Sequence, residues 1–558
     1  MPQSTVDLPR LLELVPRPLT PPELSEVLWA SKAELGSVEG DEARVECTAD
    51  RLDLLCEGGL GLHLQGVLGG AQGLPPLRLA AAEHRLTLRV DPSVAPLRPS
   101  IAGVVVVPPD GHRLDAGLLA EAVRFQELLH ATFGADRRLA SLGIYPMGRL
   151  HGPVRYSLEP LRDVRFTPLE GETPITAEAF YAEHPMAARY GAYGRDAGRC
   201  LVLRDAHGTV LSLPPVLNSR EAGEARPGDG ALLLESTGIR DARVEEALGL
   251  LSLVFAARGW QMAPVAVERG DRIDPGVHLV RARHVGLSDR VLERLAGRPI
   301  PVSEVEEGFR HCRLDPARTA DGWSVAVPPW RPDLQTATDL AEDLLLIRGV
   351  RPEDGVLVPS FTRGTRTPMA RFRSTFADRL LGLAFVPLYT PVLVSERSIA
   401  LTGRTSAIAL SNPVSDQFAY LRDSLLPSLV TVLERNRRHG YPQRFSEVGP
   451  VVVRSPGAET GSETRFHAGA FVAGGGAGFA DAAALVDYLM RACGAAGVRE
   501  PVEIAGTIPG RAAVVRLAGE PVAHLGEIHP SVLAETGVPV PVAWAEVDLS
   551  ALAPLLGA

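Results

Sequence analysis

The sequence predicts a multidomain protein of mixed α/β and α+β type, and three observations support this. The chain has 558 residues, which exceeds one ordinary hydrophobic core, so we expect roughly three to five domains. Hydrophobic residues make up 45% and charged residues 22%, the usual balance of a globular protein. The 55 glycines and 47 prolines imply many turns and short elements, so strands should be mixed with helices.

The pattern of apolar residues changes along the chain and divides it into four predicted domains. Residues 1–85 combine short helices with a strand, and residues 86–267 alternate strand runs with amphipathic helices. Residues 268–355 contain a strand pair around a charged helix, followed by a strand, a proline turn and another helix. Residues 356–558 alternate helices with strands, which is typical of a sheet with helices packed against it.

Individual elements follow from local periodicity. The predicted helices are Leu11–Leu14, Leu24–Trp29, Ala120–Ala131, Val244–Ala257, one from Asp339, Ala370–Leu381, Leu425–Arg438 and Ala482–Ala492. The predicted strands are Ala43–Cys47, Ile101–Val107, Cys200–Leu203, Ala231–Leu234, Trp323–Val327, Val451–Val453, Ala468–Val472 and Ala512–Arg516. The stretch Asp50–Leu54 predicts a further helix start, with its aspartates capping free backbone N–H groups.

Composition excludes several classes of function. The formal charge of −10 gives no basic excess of the kind nucleic-acid binders show, although local arginines could still contact RNA. Lys32 is the only lysine, and its context fits neither a Schiff-base enzyme nor a P-loop nucleotide site. Five scattered cysteines without a C-x-x-C pair argue against zinc and against a disulfide framework. Without a signal peptide or a membrane-length apolar run, a cytoplasmic protein is expected.

Four carboxylates, those of Asp333, Asp339, Glu342 and Asp343, form the best-defined candidate site. The last three share one helical face at spacings of three and four residues, and Asp333 precedes them on a proline turn. Carboxylates this close would repel one another unless a hard cation such as Mg²⁺ compensates them. The alternative is a capping box, in which Asp339 caps the helix and Glu342 returns to it.

Asn218 and Ser219 follow the double proline Pro214-Pro215 and form a second candidate site. A rigid turn could present their polar groups to an ester or a terminal ribose, or they could form an Asx-type turn that ends a strand.

Three features near the C-terminus suggest structural roles. Arg422 and Glu447 are expected to form an ion pair, and Arg435, Arg437, Arg438 and His439 complement the dipole at a helix end. The glycines of 474–478 are interpreted as a turn that lacks the strand–helix context of a phosphate-binding loop.

Ten short sequence phrases are distributed along the whole chain. In order, they are Ala49–Leu54, Val90–Val94 with Arg98-Pro99, Leu213–Ser219, Val327–Asp333, Thr338–Asp343, Asn412–Ser415, Leu421–Pro427, Glu447–Gly449, Ile508–Ala513 and Gly526–Pro530. Each phrase is weak alone, but together, in this order and at this chain length, they resemble the β subunits of phenylalanyl-tRNA synthetases of the shorter archaeal and eukaryotic type.

The resemblance implies an architecture and a set of partners. It implies an N-terminal α+β domain, an editing-type α+β domain, a small winged-helix-like domain and a class II synthetase-like antiparallel sheet with helices. A catalytic α subunit would bind ATP and phenylalanine, and two α and two β subunits would charge tRNA together. The resemblance also favours Mg²⁺, shared with the α subunit, at Asp333, Asp339, Glu342 and Asp343. This chain would then be a scaffold that is inactive alone.

Two departures from the family pattern bear on proofreading, in which Asn218 and Ser219 would take part. Arg220–Gly223 stands where the family continues into a threonine-bearing segment, and Tyr145–Gly148 stands where it tends to show histidine and aspartate. Weak editing is therefore expected. Two alternatives to a translation role stay open. One is a diverged bacterial paralogue that supports a tRNA- or amino-acid-using enzyme in specialised metabolism, and the other is a binding protein without enzymatic activity.

Overall fold

A computed structural model describes residues 2–29, 31–349, 357 and 360–557. The chain divides into two compact units, Met1–Val358 and Pro359–Ala558. Both contain helices and sheets, so the predicted mixed multidomain class is confirmed at this level. The predicted boundary between residues 355 and 356 lies outside the described residues.

The first unit begins with a small antiparallel sheet in the order β1-β3-β2, flanked by three helices. Its elements are β1 (Gln3–Asp7), α1 (Leu8–Leu12), α2 (Pro21–Trp29), β2 (Ala33–Glu39), β3 (Glu42–Cys47) and α3 (Glu57–Val67). The predicted helix start at Asp50–Leu54 is wrong in its capping: a 3₁₀ turn spans Leu52–Leu55 and no side chain caps it. The carboxylate of Asp53 instead accepts two hydrogen bonds from Arg51, a stronger charged partner.

An eleven-stranded mixed sheet dominates the first unit, in the path β13-β12-β11-β7-β4-β15-β5-β14-β6 with β10 on β11 and β16 on β15. The strands are β4 (Leu86–Val90), β5 (Ser100–Val107), β6 (Ala140–Pro146), β7 (Val154–Pro160), β10 (Arg195–Asp196), β11 (Arg199–Arg204), β12 (Val210–Leu213), β13 (Leu217–Asn218), β14 (Leu232–Gly238), β15 (Gln261–Arg269) and β16 (Arg272–Asp274). The accompanying elements are α4 (Ala116–Ala131), α5 (Ala177–Glu183), α6 (Pro185–Tyr190), α7 (Asp241–Ala256) and the strand pair β8 (Arg165–Phe166) and β9 (Ile175–Thr176).

Both faces of this sheet are covered, which explains the continuous apolar run of β5. Val104 and Val106 enter the core that contains residues of α4 and α7, whereas Ile101 and Val105 enter the core on the opposite face. Successive side chains of a strand point to opposite faces, so a strand buried on both sides must be apolar throughout.

A second three-stranded antiparallel sheet, in the order β17-β19-β18, closes the first unit. Its elements are β17 (Arg283–Ser288), α8 (Asp289–Ala296), α9 (Val302–His311), β18 (Asp315–Arg318), β19 (Gly322–Val327) and α10 (Ala337–Arg348). Val325, Phe309 and Leu344 share its core, so strand and helices pack as one body. The turn between β19 and α10 carries the Trp330–Asp333 phrase.

The second unit is a seven-stranded sheet in the order β20-β24-β25-β29-β28-β27-β26, antiparallel except for β20 on β24. Its strands are β20 (Val386–Leu388), β24 (Gln443–Arg454), β25 (Ser462–Ala473), β26 (Val498–Pro501), β27 (Thr507–Leu517), β28 (Glu520–Ile528) and β29 (Val542–Asp548), with a separate sheet of β21 (Leu393–Val394), β22 (Ile408–Ala409) and β23 (Tyr420–Leu421). The helices are α11 (Pro368–Gly382), α12 (Glu396–Leu401), α13 (Leu426–Asn436), α14 (Phe479–Ala492), α15 (Pro530–Thr536) and α16 (Leu549–Leu555).

Helices cover both faces of the seven-stranded sheet. Along β29, Ala545 and Val547 pack into the core formed with α11, α14 and α16, while Val542 and Trp544 pack into the core formed with α13 and α15. No helix in the described part of the chain is long and apolar enough to span a membrane.

Candidate functional site

The carboxylates of Asp333 and Asp343 share one arginine. Arg331 donates from Nη2 to Oδ2 of Asp333 (2.7 Å) and to Oδ2 of Asp343 (2.5 Å), and from Nε to Oδ1 of Asp333 (2.9 Å). All three side chains are buried. Burial opposes ionisation of Asp343, but the neighbouring Arg331 and Arg51 lower its pKa to about 2. The repulsion expected from sequence is therefore relieved in part by Arg331.

Two of the family-like phrases meet at this point in the fold. Arg51 and Asp53, from the phrase after β3, line a small cavity of about 20 Å³ together with Arg331. His63 of α3 lines the same cavity, and its Nε2 is buried without a hydrogen-bond partner. Burial, with Arg51 nearby, lowers the pKa of His63 to about 3, so the ring is neutral at ordinary pH.

The predicted capping box exists, but different residues form it. Thr336 is the N-cap of α10, and Asp339 three residues later accepts hydrogen bonds at Oδ2 from the backbone and hydroxyl of Thr336. Asp339 is therefore the returning acid and not the cap, because the helix begins two residues earlier than predicted. Glu342 pairs instead with Lys32, whose Nζ lies 3.0 Å from Oε2.

All four predicted acids line one polar hollow of about 570 Å³. Asp50, Gln335 and Lys32 line it as well. The carboxylate and amide oxygens of this hollow are ligands that hard divalent ions prefer. One cation, the ammonium of Lys32, already pairs with Glu342 there. The residues therefore fit a Mg²⁺ ion in donor chemistry.

That fit is to a hydrated ion and not to a closed cage of four carboxylates. In the described part of the chain, three potential ligand atoms of His, Cys, Asp or Glu come within 4.8 Å of one another only at Glu245, Asp274 and His278. Mg²⁺ usually keeps several waters and binds through one or two carboxylates, which suits this more open arrangement.

The structure separates the two residues of the second predicted site: Asn218 lines a cavity and Ser219 does not. Asn218 lines a cavity of about 220 Å³ and donates from Nδ2 to the Gly223 carbonyl (3.0 Å). Ser219 is fully buried, and its hydroxyl donates to the Val210 carbonyl (2.5 Å). The hydroxyl of Ser219 therefore joins the open end of the hairpin formed by β12 and β13, and a role of Ser219 in editing stays a prediction.

The same cavity contains a buried acid that sequence reasoning missed. Glu235, in the middle of β14, is fully buried, and burial raises its pKa to about 8. Its Oε2 accepts from the phenol of Tyr145 (3.1 Å), and the phenol oxygen lies 2.9 Å from the hydroxyl of Ser212, while Oε1 of Glu235 is buried without a partner. A lone glutamate directly after the apolar run Leu232–Leu234 was the available sequence signal.

Gly143 makes room for the Tyr145 ring. Gly143 and Tyr145 lie two residues apart on β6, and a Cβ atom on Gly143 would overlap the phenol. The ring thus folds back along its own strand toward Glu235.

In the second unit, Arg422 and Glu447 form the predicted ion pair. Nη2 of Arg422 lies 2.8 Å from Oε1 of Glu447, and both side chains are buried. Arg422 also donates to the hydroxyls of Thr390 (2.7 Å) and Ser428 (2.9 Å), and Thr390 donates to Oε2 of Glu447 (2.6 Å). The arginine and the glutamate thus bind one another, and the predicted ion pair is confirmed.

The glycine-rich segment differs from its interpretation. Gly474, Gly475 and Gly476 follow β25 directly and α14 begins at Phe479, so the strand–loop–helix context is present. The helix N-terminus is already occupied: the N–H groups of Gly478 and Phe479 donate to Asp481 (2.9 Å) and Glu527 (2.8 Å). Two carboxylates therefore stand where an anion would bind.

The basic cluster at the end of α13 contacts its own helix. Arg437 donates from Nη1 to the Glu434 carbonyl (3.0 Å), which satisfies one of the free carbonyls of the last turn. The helix-end role predicted for this cluster agrees with that contact.

A buried histidine–carboxylate cluster also escaped the sequence analysis. Nδ1 of His467 lies 2.5 Å from Oε1 of Glu546, and Nε2 lies 3.5 Å from Oδ2 of Asp548. Burial alone would lower the pKa of His467, but Asp548 and Glu546 raise it to about 9. Ser424 donates to the other oxygen of Glu546 (2.7 Å), which ties α13 to β29.

Comparison with known proteins gives consistent matches along the whole chain. Residues 286–350 match the tRNA synthetase B5 domain, and residues 356–549 match the phenylalanyl tRNA synthetase beta chain CLM domain. A phenylalanine–tRNA ligase β subunit from Halobacterium salinarum is 30% identical over 544 residues, which covers 93% of each chain. The chain belongs to the family of phenylalanine–tRNA ligase β subunits.

Other members of this family match over similar lengths. The β subunit from Archaeoglobus fulgidus is 28% identical over 527 residues, 93% of each chain. An N-terminal fragment of the phenylalanyl-tRNA synthetase β subunit from Pyrococcus horikoshii resembles the fold with a TM-score of 0.58 at 24% identity, covering 62% of this chain and all of the fragment.

The two family segments fall on the sites described above. The B5 match runs from within β17 through α10 and contains the four predicted acids of the hollow. The CLM match contains the seven-stranded sheet with Arg422, Glu447 and His467. The cavity beside Glu235 lies outside both segments, within the part of the chain that aligns with full-length β subunits.

Proposed function

We propose that this chain is a non-catalytic β subunit of a phenylalanine–tRNA ligase, a scaffold for an α subunit that binds ATP and phenylalanine. Two α and two β subunits would together charge tRNA with phenylalanine in the cytoplasm. The observation that carries this proposal is the 93% coverage of both chains in the match to a named β subunit.

The state of the second unit supports the non-catalytic role. The pair that could hold a nucleotide, Arg422 and Glu447, is closed on itself and buried. The helix N-terminus beside the glycine-rich loop is occupied by Asp481 and Glu527. Arg422 is thus paired with a carboxylate, and two N–H groups at the start of α14 already donate to acids, whereas a nucleotide site needs such cations and donors for phosphates.

A surface for the α subunit is available on the second unit. The short edge strand β20 and the segment before β23 expose large apolar side chains, those of Val386, Tyr389, Val414 and Phe418. Exposed apolar groups on an open sheet edge are typical of surfaces that a partner covers.

Within this proposal, Mg²⁺ would be held at the hollow by Asp333, Asp339, Glu342 and Asp343, shared with the α subunit. When bound, the ion would supply positive charge that compensates these carboxylates. Asp339 accepts its hydrogen bonds in the described part of the chain at Oδ2, so Oδ1 is left for a cation or its water.

The four-domain division is part of the same proposal. Residues 1–85, 86–267, 268–355 and 356–558 would be the N-terminal, editing-type, winged-helix-like and class II synthetase-like domains. The three-stranded sheet with helices α8 to α10 and the seven-stranded antiparallel sheet support the last two assignments.

The test is co-expression with an α subunit encoded beside this chain. We expect no phenylalanine-dependent pyrophosphate exchange from this chain alone and full aminoacylation of phenylalanine tRNA from the complex. Exchange by this chain alone would overturn the scaffold role. A stable complex that fails to charge this tRNA would instead favour the diverged paralogue, and no complex at all would favour a lone binding protein.

Proofreading is a second candidate function, which the cavity beside Glu235 favours. A buried carboxyl with one unpartnered oxygen is expensive to maintain, and such groups concentrate at functional sites. Asn218 at the cavity edge would contact the aminoacyl ester or its ribose.

A further inference from the structure

Lys32 occupies an unusual position in the chain and in the fold. It is the only lysine among 57 basic residues. It connects the end of α2 to β2 with a φ of +59°, a left-handed conformation that costs a non-glycine residue about 1–2 kcal/mol.

The ammonium of Lys32 joins two acids from distant segments. Nζ lies 2.8 Å from Oδ2 of Asp50 and 3.0 Å from Oε2 of Glu342, and the side chain is only 10% exposed. Burial works against the charged amine, but Asp50 and Glu342 outweigh it and raise the pKa of Lys32. The amine is therefore a fixed cation inside the hollow.

The hollow carries more acids than cations. Six carboxylates and two cations, Lys32 and Arg243, line it, and Arg331 compensates part of the charge of Asp333 and Asp343. The six are Asp50, Glu246, Asp333, Asp339, Glu342 and Asp343. Without Lys32, Asp50 and Glu342 would face each other uncompensated.

Lysine suits this position better than arginine. An ammonium is a compact point charge on a flexible stem, with three donors that can follow separate acceptors. A guanidinium is a planar fork that prefers both oxygens of one carboxylate, as Arg51 shows with Asp53. Of the two side chains, the ammonium is closer in size and charge density to a small metal ion.

We infer that Lys32 is the built-in counter-ion of the hollow and that it competes with a divalent cation for Glu342. The hollow then folds without metal, and a divalent ion binds by displacing the ammonium from Glu342. Metal binding would thereby release one ion pair of Lys32, in the connection between α2 and β2. The inference rests on the part of the proposed function that places Mg²⁺ here, and not on tRNA charging.

The single lysine permits a direct test on the unmodified full chain. Its acylation by an N-hydroxysuccinimide ester is followed by mass spectrometry with increasing MgCl₂, against NaCl of equal ionic strength, with a lysine peptide as internal reference. We expect Mg²⁺ to accelerate Lys32 acylation, because an ammonium displaced from Glu342 loses one of the two ion pairs that hold it inside the hollow and becomes more accessible to the reagent. An unchanged or slower rate would overturn the competition.

Direct metal binding gives the second measurement. With Mn²⁺ as the probe, Lys32→Met should bind about tenfold more tightly than wild type, since a charge close to the ion is removed. Lys32→Arg keeps the charge and should stay near wild type. The gain should disappear in Lys32→Met with Glu342→Gln.

The outcomes separate the two proposals. Equal Mn²⁺ affinity of wild type and Lys32→Met would sink the competition while leaving the metal site intact. A gain that survives Glu342→Gln would place the ion elsewhere, and no binding by either protein would overturn both the competition and the proposed Mg²⁺ site. If Lys32→Met does not fold, the acylation of wild type still tests the competition.

Discussion

The phenol of Tyr145 donates to Oε2 of Glu235 across 3.1 Å, inside the cavity that Asn218 borders. The chain thus supplies an aromatic hydroxyl to its own buried carboxyl. A tyrosyl group differs from a phenylalanyl group only by such a hydroxyl. If the cavity serves proofreading, Tyr145 already binds Glu235, the group best suited to bind the hydroxyl of a tyrosyl ester.

We therefore expect weak or absent hydrolysis of phenylalanine tRNA mischarged with tyrosine. Tyr145→Phe should increase the deacylation rate, because the oxygens of Glu235 and Ser212 are released for the ligand's hydroxyl. The variant should lose about 1–3 kcal/mol of stability, since buried acceptors lose a donor. Deacylation of the mischarged tRNA is the measurement, with Asn218→Ala as a cavity control. A fast wild-type rate that collapses in Asn218→Ala would show that Tyr145 does not block the site.

Local patterns were enough to predict the elements around this cavity, but not the cavity itself. The β-branched run of β5 and the periodicity of α4 and α7 depend on near neighbours, and their predicted bounds lie within a few residues of Ser100–Val107, Ala116–Ala131 and Asp241–Ala256. The meeting of Tyr145 with Glu235 requires the pairing of β6 with β14, which no local pattern specifies.

In the acidic hollow, the sequence predicted the positions of the acids but not the cations that pair with them. Spacing placed Asp339, Glu342 and Asp343 on one helix, and the described helix contains all three. The counter-ions come from elsewhere: Arg331 from the turn before the helix and Lys32 from 310 residues away in sequence, for Glu342. The sequence-based prediction of four repelling acids did not include these cations, because only the tertiary fold brings them to the acids.

The buried pair Arg422–Glu447 should dominate the stability of the second unit. Arg422→Met leaves Glu447 buried without its arginine, so we expect a loss of about 3–5 kcal/mol. The control is Arg444→Met, at an exposed position of β24, the strand that also contains Glu447. This control should lower the free energy of unfolding by at most about 0.5 kcal/mol. Amide hydrogen exchange of β24 measures both. Adding Glu447→Met to Arg422→Met should recover stability, and a further loss would contradict the uncompensated-charge explanation.

His467 should make the second unit less stable in alkali. Its pKa of about 9 in the folded chain lies above the ordinary value of 6.5, so its contribution is complete below pH 6.5 and is lost as pH rises toward 9. The difference corresponds to about 3 kcal/mol. Hydrogen exchange of β25 and β29, corrected for the intrinsic effect of pH, should show this loss in wild type. His467→Gln should remove it, and a persistent loss in that variant would assign the effect to another group.

The last prediction separates the two roles of the acids in the hollow. Thr336→Ala removes the capping hydroxyl of α10 but leaves every carboxylate, so it should cost about 1 kcal/mol and leave assembly with the α subunit unchanged. Asp339→Ala with Glu342→Ala removes the cap partner and two proposed Mg²⁺ ligands. If the ion joins the subunits, this double variant should assemble more weakly than Thr336→Ala and should no longer respond to Mg²⁺. Assembly is measured as the dissociation constant of the α–β complex at low and high Mg²⁺. Equal dissociation constants for the two variants at both Mg²⁺ levels would leave Asp339 with the capping role alone.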